Sequence, residues 1–242
     1  LNGGSALTDL TLISNLDADD DLTVGNISAV NLENLTIQAD EGFINVGTVA
    51  AAGELKTFSV TNLDADSSGL ITVGAVGGNT TADELTSFSI ITSGDSDEAT
   101  GTEVHMVAFN ANSSTAQTLD TFTIDLKGNY VTSTLGVFDA DDIAGVDVTI
   151  GNDGTSLVWS GFDLTGSITG DVNFTNGGST GINNSTVTPF IDVEATGSIG
   201  NLSFTNTAEG PITLGTNATD DIFIDTATTI GNITIDTGTN TA

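Results

Sequence analysis

Carboxylates are the main reactive groups in this sequence. Segment 15–21 reads NLDADDD and segment 62–69 reads NLDADSSG. Asp17, Asp19 and Asp21, and likewise Asp64 and Asp66, recur at a spacing of two, which lets neighbouring carboxylates converge on one cation. Asp64, Asp66, Ser68 and Gly69 match the opening of a D-x-D-x-[DNS]-G calcium loop. Ala75 stands where an EF-hand needs its closing Glu, so that motif is excluded. Asp139, Asp141 and Asp142 (DADD) form another cluster, as do Asp95–Glu98 (DSDE). Hard oxygen ligands without nearby His or Cys suit Ca2+ over a transition metal. The competing reading is a set of solvated turns, where Asp is common. Charge favours the cation: two basic against 33 acidic side chains gives 2 − 33 = −31. Bound cations relieve such self-repulsion.

Other chemistry is poorly provided for. His105 lies in the alternating segment EVHMVAF, with no partnered Ser or Cys motif, and reads as structural. There is no Cys, so disulfides, thiolate metal sites and a cysteine nucleophile are excluded. Arginine is absent, and the only cations are Lys56 and Lys127. A lyase that takes its base from Arg is thereby excluded. A glycosidase needs paired carboxylates in a cleft; Asp141–Asp142 and Asp220–Asp221 are such pairs, but an acid-rich chain produces them by chance. Gly-rich phosphate loops are missing. Trp159 and Phe162 could stack on a sugar, although a core or loop role fits them better. The expectation is a chain that is not an enzyme. Phosphate backbones and anionic membrane surfaces would repel it. No apolar run is long enough to span a bilayer as a helix.

The elements that carry these residues repeat. A six-residue pattern, apolar–x–x–apolar–polar–apolar, recurs at Leu7–Leu10–Leu12, Leu32–Leu35–Ile37, Leu55–Phe58–Val60 and Leu85–Phe88–Ile90. It continues at Leu119–Phe122–Ile124, Ile143–Val146–Val148, Ile199–Leu202–Phe204 and Ile230–Ile233–Ile235. A further copy, Ile168–Val172–Phe174, holds one extra residue. A second pattern falls half a period later: LTVG at Leu22–Gly25, INVG at Ile44–Gly47, ITVG at Ile71–Gly74 and ITLG at Ile212–Gly215. The first three continue after one spacer with Ile27, Val49 or Val76.

Both patterns end in period-two alternation, the mark of a β-strand with one buried face. Their recurrence after some 20 to 50 residues indicates a solenoid or other repeat architecture. The spacing predicts an all-β, right-handed parallel β-helix of about nine irregular coils. At about 4.8 Å per coil the rod is roughly 43 Å long. A propeller needs longer repeats with hairpins, and a sandwich does not explain motifs that return in phase. No linker or shift in composition interrupts the pattern, so residues 1–242 read as one continuous domain. Thr92–Gln117 reads as a coil with an enlarged loop, and Asn176–Pro189 as a second loop. Without Met at its start or a signal segment, the chain reads as a mature protein or a segment of a longer one.

Ten N-x-[ST] sequons, at Asn26, Asn34, Asn79, Asn112, Asn173, Asn183, Asn184, Asn201, Asn217 and Asn232, leave surface glycosylation open. Several lie inside the repeats, as GNIS, GNIT and GNLS, which favours a structural origin.

Through ELKTFSV, ELTSFSI, TLDTFTI, GNITI and the Asp-rich corners, nearly the whole chain resembles the β-solenoid regions of bacterial surface-layer proteins and related secreted adhesins. It departs from the RTX subclass, whose tandem GGxGxD repeats are absent; only Gly151–Gly154 (GNDG) comes near. The resemblance implies an extracellular, cell-surface structural protein that self-assembles into a lattice or filament, with Ca2+ as cofactor and copies of itself as partner. The alternative is an adhesin stalk or carbohydrate-binding solenoid whose partners are cell-surface glycans. Ice binding needs a regular T-x-T array, and the Thr-x-Val-Gly thread is too irregular for it.

Overall fold

Within each copy of the first pattern, residues two apart point to the same side of an extended segment. The side holding Leu, Ile, Val and Phe must leave water. Successive copies do so by lying parallel, one upon the next. The computed structural model describes residues 1–15, 21–50, 54–63, 70–77, 84–92, 103–111, 118–126, 132–150, 156–159, 162–164, 166–176, 181–184, 191–193, 198–206, 212–213, 224–226 and 229–236. Among them there are only strands, turns and bends, and no helix that could cross a membrane. Every strand pairing in this set is parallel, as in a β-solenoid.

Three faces wind around one core. The first is a nine-stranded sheet in chain order, from Asp9–Asn15 through Asn34–Glu41, Thr57–Asn62, Ser87–Thr92, Thr121–Leu126, Val146–Ile150, Val172–Asn176 and Leu202–Asn206 to Ile233–Asp236. The second has eight strands and carries the second pattern, including Asp21–Val24, Phe43–Val46 and Leu70–Val73. The third is a five-stranded sheet, Phe109–Ala111, Phe138–Ala140, Phe162–Leu164, Ile191–Val193 and Ile224–Thr226. A separate three-stranded sheet, Asn2–Gly4, Ile27–Ala29 and Val49–Ala50, precedes it. Among the described residues, single bridges from Val76 to Val49 and to Phe109 join the two.

The expected count of about nine irregular coils is therefore corrected. Five successive turns carry a strand on all three faces within unbroken sheets, because only five strands of the third face are continuous. The loop expected at Asn176–Pro189 is corrected in part, whereas Thr92–Gln117 carries strands as a coil does. Segment 92–117 contains the strands Glu103–Met106 and Phe109–Ala111, and segment 176–189 contains Gly181–Asn184. Both continue the faces of their neighbours; the rest of each segment lies outside the described residues.

Register explains why the pattern is so regular. Leu35, Phe58, Phe88, Phe122, Val146, Val172 and Leu202 are consecutive partners, as are Ile37, Val60, Ile90, Ile124, Val148, Phe174 and Phe204. All of these are buried, and Leu55, Phe58 and Val60 are completely so. The extra residue in the copy at Ile168 leaves the columns intact, since Ile168 still bridges Ile143 and Ile199. Phe88 sits at the centre of an aromatic stack, parallel to Phe58 at 5.4 Å and to Phe122 at 4.8 Å. Phe109 and Phe138 meet it edge-on at 5.1 and 4.9 Å. Both are favoured geometries for ring quadrupoles.

Two corners require glycine. A Cβ at Gly136 would collide with the carbonyl oxygen of Val107 in the turn before, and one at Gly200 with that of Gly170. The fourth position of the second pattern is small for the same reason at Gly47 and Gly74, where a Cβ would strike the backbone of the turn before. The inward column at the end of the first face is partly polar instead. The hydroxyls of Ser14 and Thr92 are buried and find no hydrogen-bond partner among the described residues.

Candidate functional site

Triplets with a central Asp build most of the third face: Phe138–Asp139–Ala140, Phe162–Asp163–Leu164, Ile191–Asp192–Val193 and Ile224–Asp225–Thr226, the first three with apolar residues on both sides. The outer residues of the first two triplets are buried, which turns Asp139 and Asp163 outward. In the parallel sheet Asp139 is the partner of Asp163, Asp163 of Asp192, and Asp192 of Asp225. Asn110 heads this column. Four acidic positions thus stand one strand apart, about 4.8 Å each. Like charges directly opposite each other are destabilising. Partial burial, with the neighbouring charges of Asp163 and Asp141 adding to it, pushes the Asp139 carboxyl up to about 6.

The residues expected to bind metal separate into groups. Asp17, Asp19, Asp64 and Asp66 lie outside the described residues. Asp21 is exposed and begins the strand Asp21–Val24 on the second face. Asp139 joins the column just described, and Asp141, at the following corner, is buried. Asp142 serves the backbone: its Oδ1 accepts a hydrogen bond from the Ser167 amide, one turn on, at 2.6 Å. Gly166 leaves space for that carboxylate, because a Cβ there would strike it. Among the described residues, no three carboxylate or imidazole side chains converge as a metal-sized group. Asp163, Asp192 and Asp225 were missed by reading clusters along the chain. Each is a single acid locally, and the signal was the recurring triplet at corresponding positions.

One of the two cations works between turns. Lys56 Nζ lies 3.1 Å from Glu33 and 3.9 Å from Glu84, which belong to the turns on either side. Hydrogen bonding to Glu33 and the surrounding carboxylates raise its pKa. His105 lies in a strand between Thr72 and Thr134, in register with both. Phe162 is buried in the core, so it is no sugar platform; the Trp159 side chain lies outside what is described.

Several sequon asparagines hold turns together. Asn34 donates to Asp9 Oδ1 at 2.6 Å, and Asn201 to Asp171 Oδ1 at 2.8 Å. Asn26 Oδ1 accepts from the Thr48 amide at 3.1 Å. These bonds give the GNIS and GNLS repeats a structural use.

The second face carries a surface cavity of about 290 Å3 lined by Asp21, Thr23, Phe43, Asn45, Leu70 and Thr72. A second hollow, of about 280 Å3, lies on the first face beside Asp120, Thr121, Asp147 and Asn173. Compared with known families, curated proteins and solved structures, the chain matches no family model, no curated protein and no solved structure.

Proposed function

We propose that this chain is a non-enzymatic structural protein of the cell surface or extracellular space, whose rods associate into a surface layer or fibre stabilised by Ca2+. The observation that carries this reading is the register of the first face. Nine strands repeat one inward pattern, so any strand edge presents nearly the same backbone groups as its neighbours. Among the described residues, the outer edges of Asp9–Asn15 and Ile233–Asp236 have no partner strand, and Ile233 is 54% exposed. Open edges template pairing with other edges. Head-to-tail contacts that do not close by rotation give filaments.

Charge sets the condition for association. At −31, copies repel one another, and the acidic column of the third face concentrates that repulsion. Divalent cations bridging carboxylates there, or at Asp17–Asp21 and Asp64–Asp66, oppose it. Light scattering and electron microscopy of the purified chain across a calcium titration test the reading. Growth of particles into sheets or filaments is expected. A monomer at every calcium and protein concentration overturns it. The second reading, an adhesin or carbohydrate-binding module, is favoured by one observation: the outward ring of Phe43.

A further inference from the structure

Among the described residues, phenylalanine is a core residue with one exception. Of the nine described phenylalanines, Phe58, Phe88, Phe109, Phe122, Phe138, Phe162, Phe174 and Phe204 are buried. Phe43 is not. Its strand, Phe43–Val46, buries Ile44 and Val46, so alternation sends Phe43 and Asn45 outward. Core packing does not call for an aromatic ring at this position. The same column holds Asp21 one strand before and Leu70 one strand after.

The surroundings of the ring have a definite chemistry. Phe43 and Leu70, neighbours in one outward column, give the 290 Å3 cavity its apolar side chains. Thr23, Asn45 and Thr72 make the adjoining column, one residue pair along the same strands, and Asp21 closes one end. An apolar column beside a row of hydroxyl and amide groups, with one carboxylate acceptor, suits a ligand that is apolar on one face and rich in hydroxyls around its rim. We infer that this cavity is a binding subsite for one ring of a neutral saccharide, stacked on Phe43 and hydrogen-bonded through Asn45, Thr23, Thr72 and Asp21.

Charge and size narrow the choice of ligand. A protein of net charge −31 with a carboxylate in the site repels acidic sugars and phosphates. A quaternary ammonium group is held by several rings around the cation, whereas this site has one. The volume is at the lower end of the range for small-molecule sites, about 300 Å3 and upward. The inference stands apart from the assembly reading, since the site lies on one flank within three successive turns and needs no second copy.

The experiment is saturation-transfer NMR and calorimetry on the full chain with cellobiose, maltose and chitobiose at millimolar concentration. Tetramethylammonium and glucuronate serve as cationic and anionic comparisons. At least one neutral disaccharide is expected to bind while glucuronate does not. Phe43→Ala should weaken that binding about tenfold, the scale of a lost stacking ring, and Phe43→Trp should preserve or strengthen it. Asn45→Ala, at an exposed position, tests the polar row without touching the apolar column. Circular dichroism establishes that each variant keeps its sheet. The inference is overturned if none of the three sugars binds, if tetramethylammonium binds in their place, or if Phe43→Ala and Asn45→Ala bind as the unaltered chain does.

Discussion

The Asn232 side-chain amide reaches Asn201 Oδ1, one turn away, at 3.2 Å. The Asn232 backbone amide reaches the same oxygen at 3.2 Å. Asn201 in turn donates to Asp171, so three turns are tied by one column of side chains. Both asparagines follow glycines that let the backbones come close, Gly200 and Gly231. The GN dipeptide is thus a corner device: Gly for proximity, Asn for the bond.

Asn201→Ala should therefore lower stability by about 1 kcal/mol, the usual net worth of a lost hydrogen bond. Asn201→Asp should cost more, because it sets a second carboxylate against Asp171 and removes the donor. Urea denaturation of both variants checks the order.

Phe88 should be among the most sensitive core positions, together with Phe138, which also meets four rings. Phe88→Ala removes a side chain in contact with four other rings, and a Phe-to-Ala change in a core costs about 3–5 kcal/mol. Phe88→Leu should cost clearly less, since it keeps most of the volume. Thermal melts that rank the two the other way would contradict the packing described.

Thr92→Val should raise stability. The Thr92 hydroxyl is fully buried without a partner among the described residues. Removing an unsatisfied polar group at nearly constant shape recovers its desolvation cost, about 1 kcal/mol or more. A melt that shifts downward would mean that the hydroxyl is bonded after all.

The acidic column should make the protein more stable in mild acid. In the folded state Asp139 protonates at about 6. Its unfolded value is about 3.9. The fold then binds the proton more tightly than the open chain does. The resulting penalty is complete above pH 6, shrinks between about 6 and 3.9, and is gone below. The melting temperature should rise as pH falls from neutral towards 5, and Asp139→Asn should flatten that rise. A melting temperature that falls across this interval counts against the column as the dominant titrating feature.

Calcium removal should destabilise the rod. A ligand that binds only the folded state stabilises it by mass action. Adding a chelator to the native protein should lower the melting temperature and shrink any assembly. Unchanged melts, with no bound cation by elemental analysis, would remove Ca2+ from the account.

Sequence reading was strongest where one force acted alone. The inward columns were legible because burial imposes the same apolar alternation at each turn, from Leu35 to Leu202. The GN corners were visible as motifs, but their cause, the approach of one backbone to the next, required coordinates. The acidic site was read along the chain, as DADD and NLDADDD. The structure organises acids across the chain, so Asp163, Asp192 and Asp225 stayed hidden in single triplets. Asp142 shows a related ambiguity: a carboxylate that bonds the Ser167 amide is indistinguishable in sequence from one awaiting a cation. Phe43 escaped notice because it precedes the INVG motif, on the opposite parity from the core.

The parallel columns also bear on how such a chain can change length. Thr57 and Ser87 occupy the same register position, 30 residues apart, and both lie in line with Asn34. Loss of residues 57–86 would set Ser87 beside Asn34 with Phe88 against Leu35, in a shorter rod whose columns still match. Loss of one residue inside Thr57–Asn62 would instead turn Phe58 and Val60 to solvent. Genetic recombination between repeats is therefore far gentler on this architecture than a single-codon deletion, and related chains should differ by whole turns.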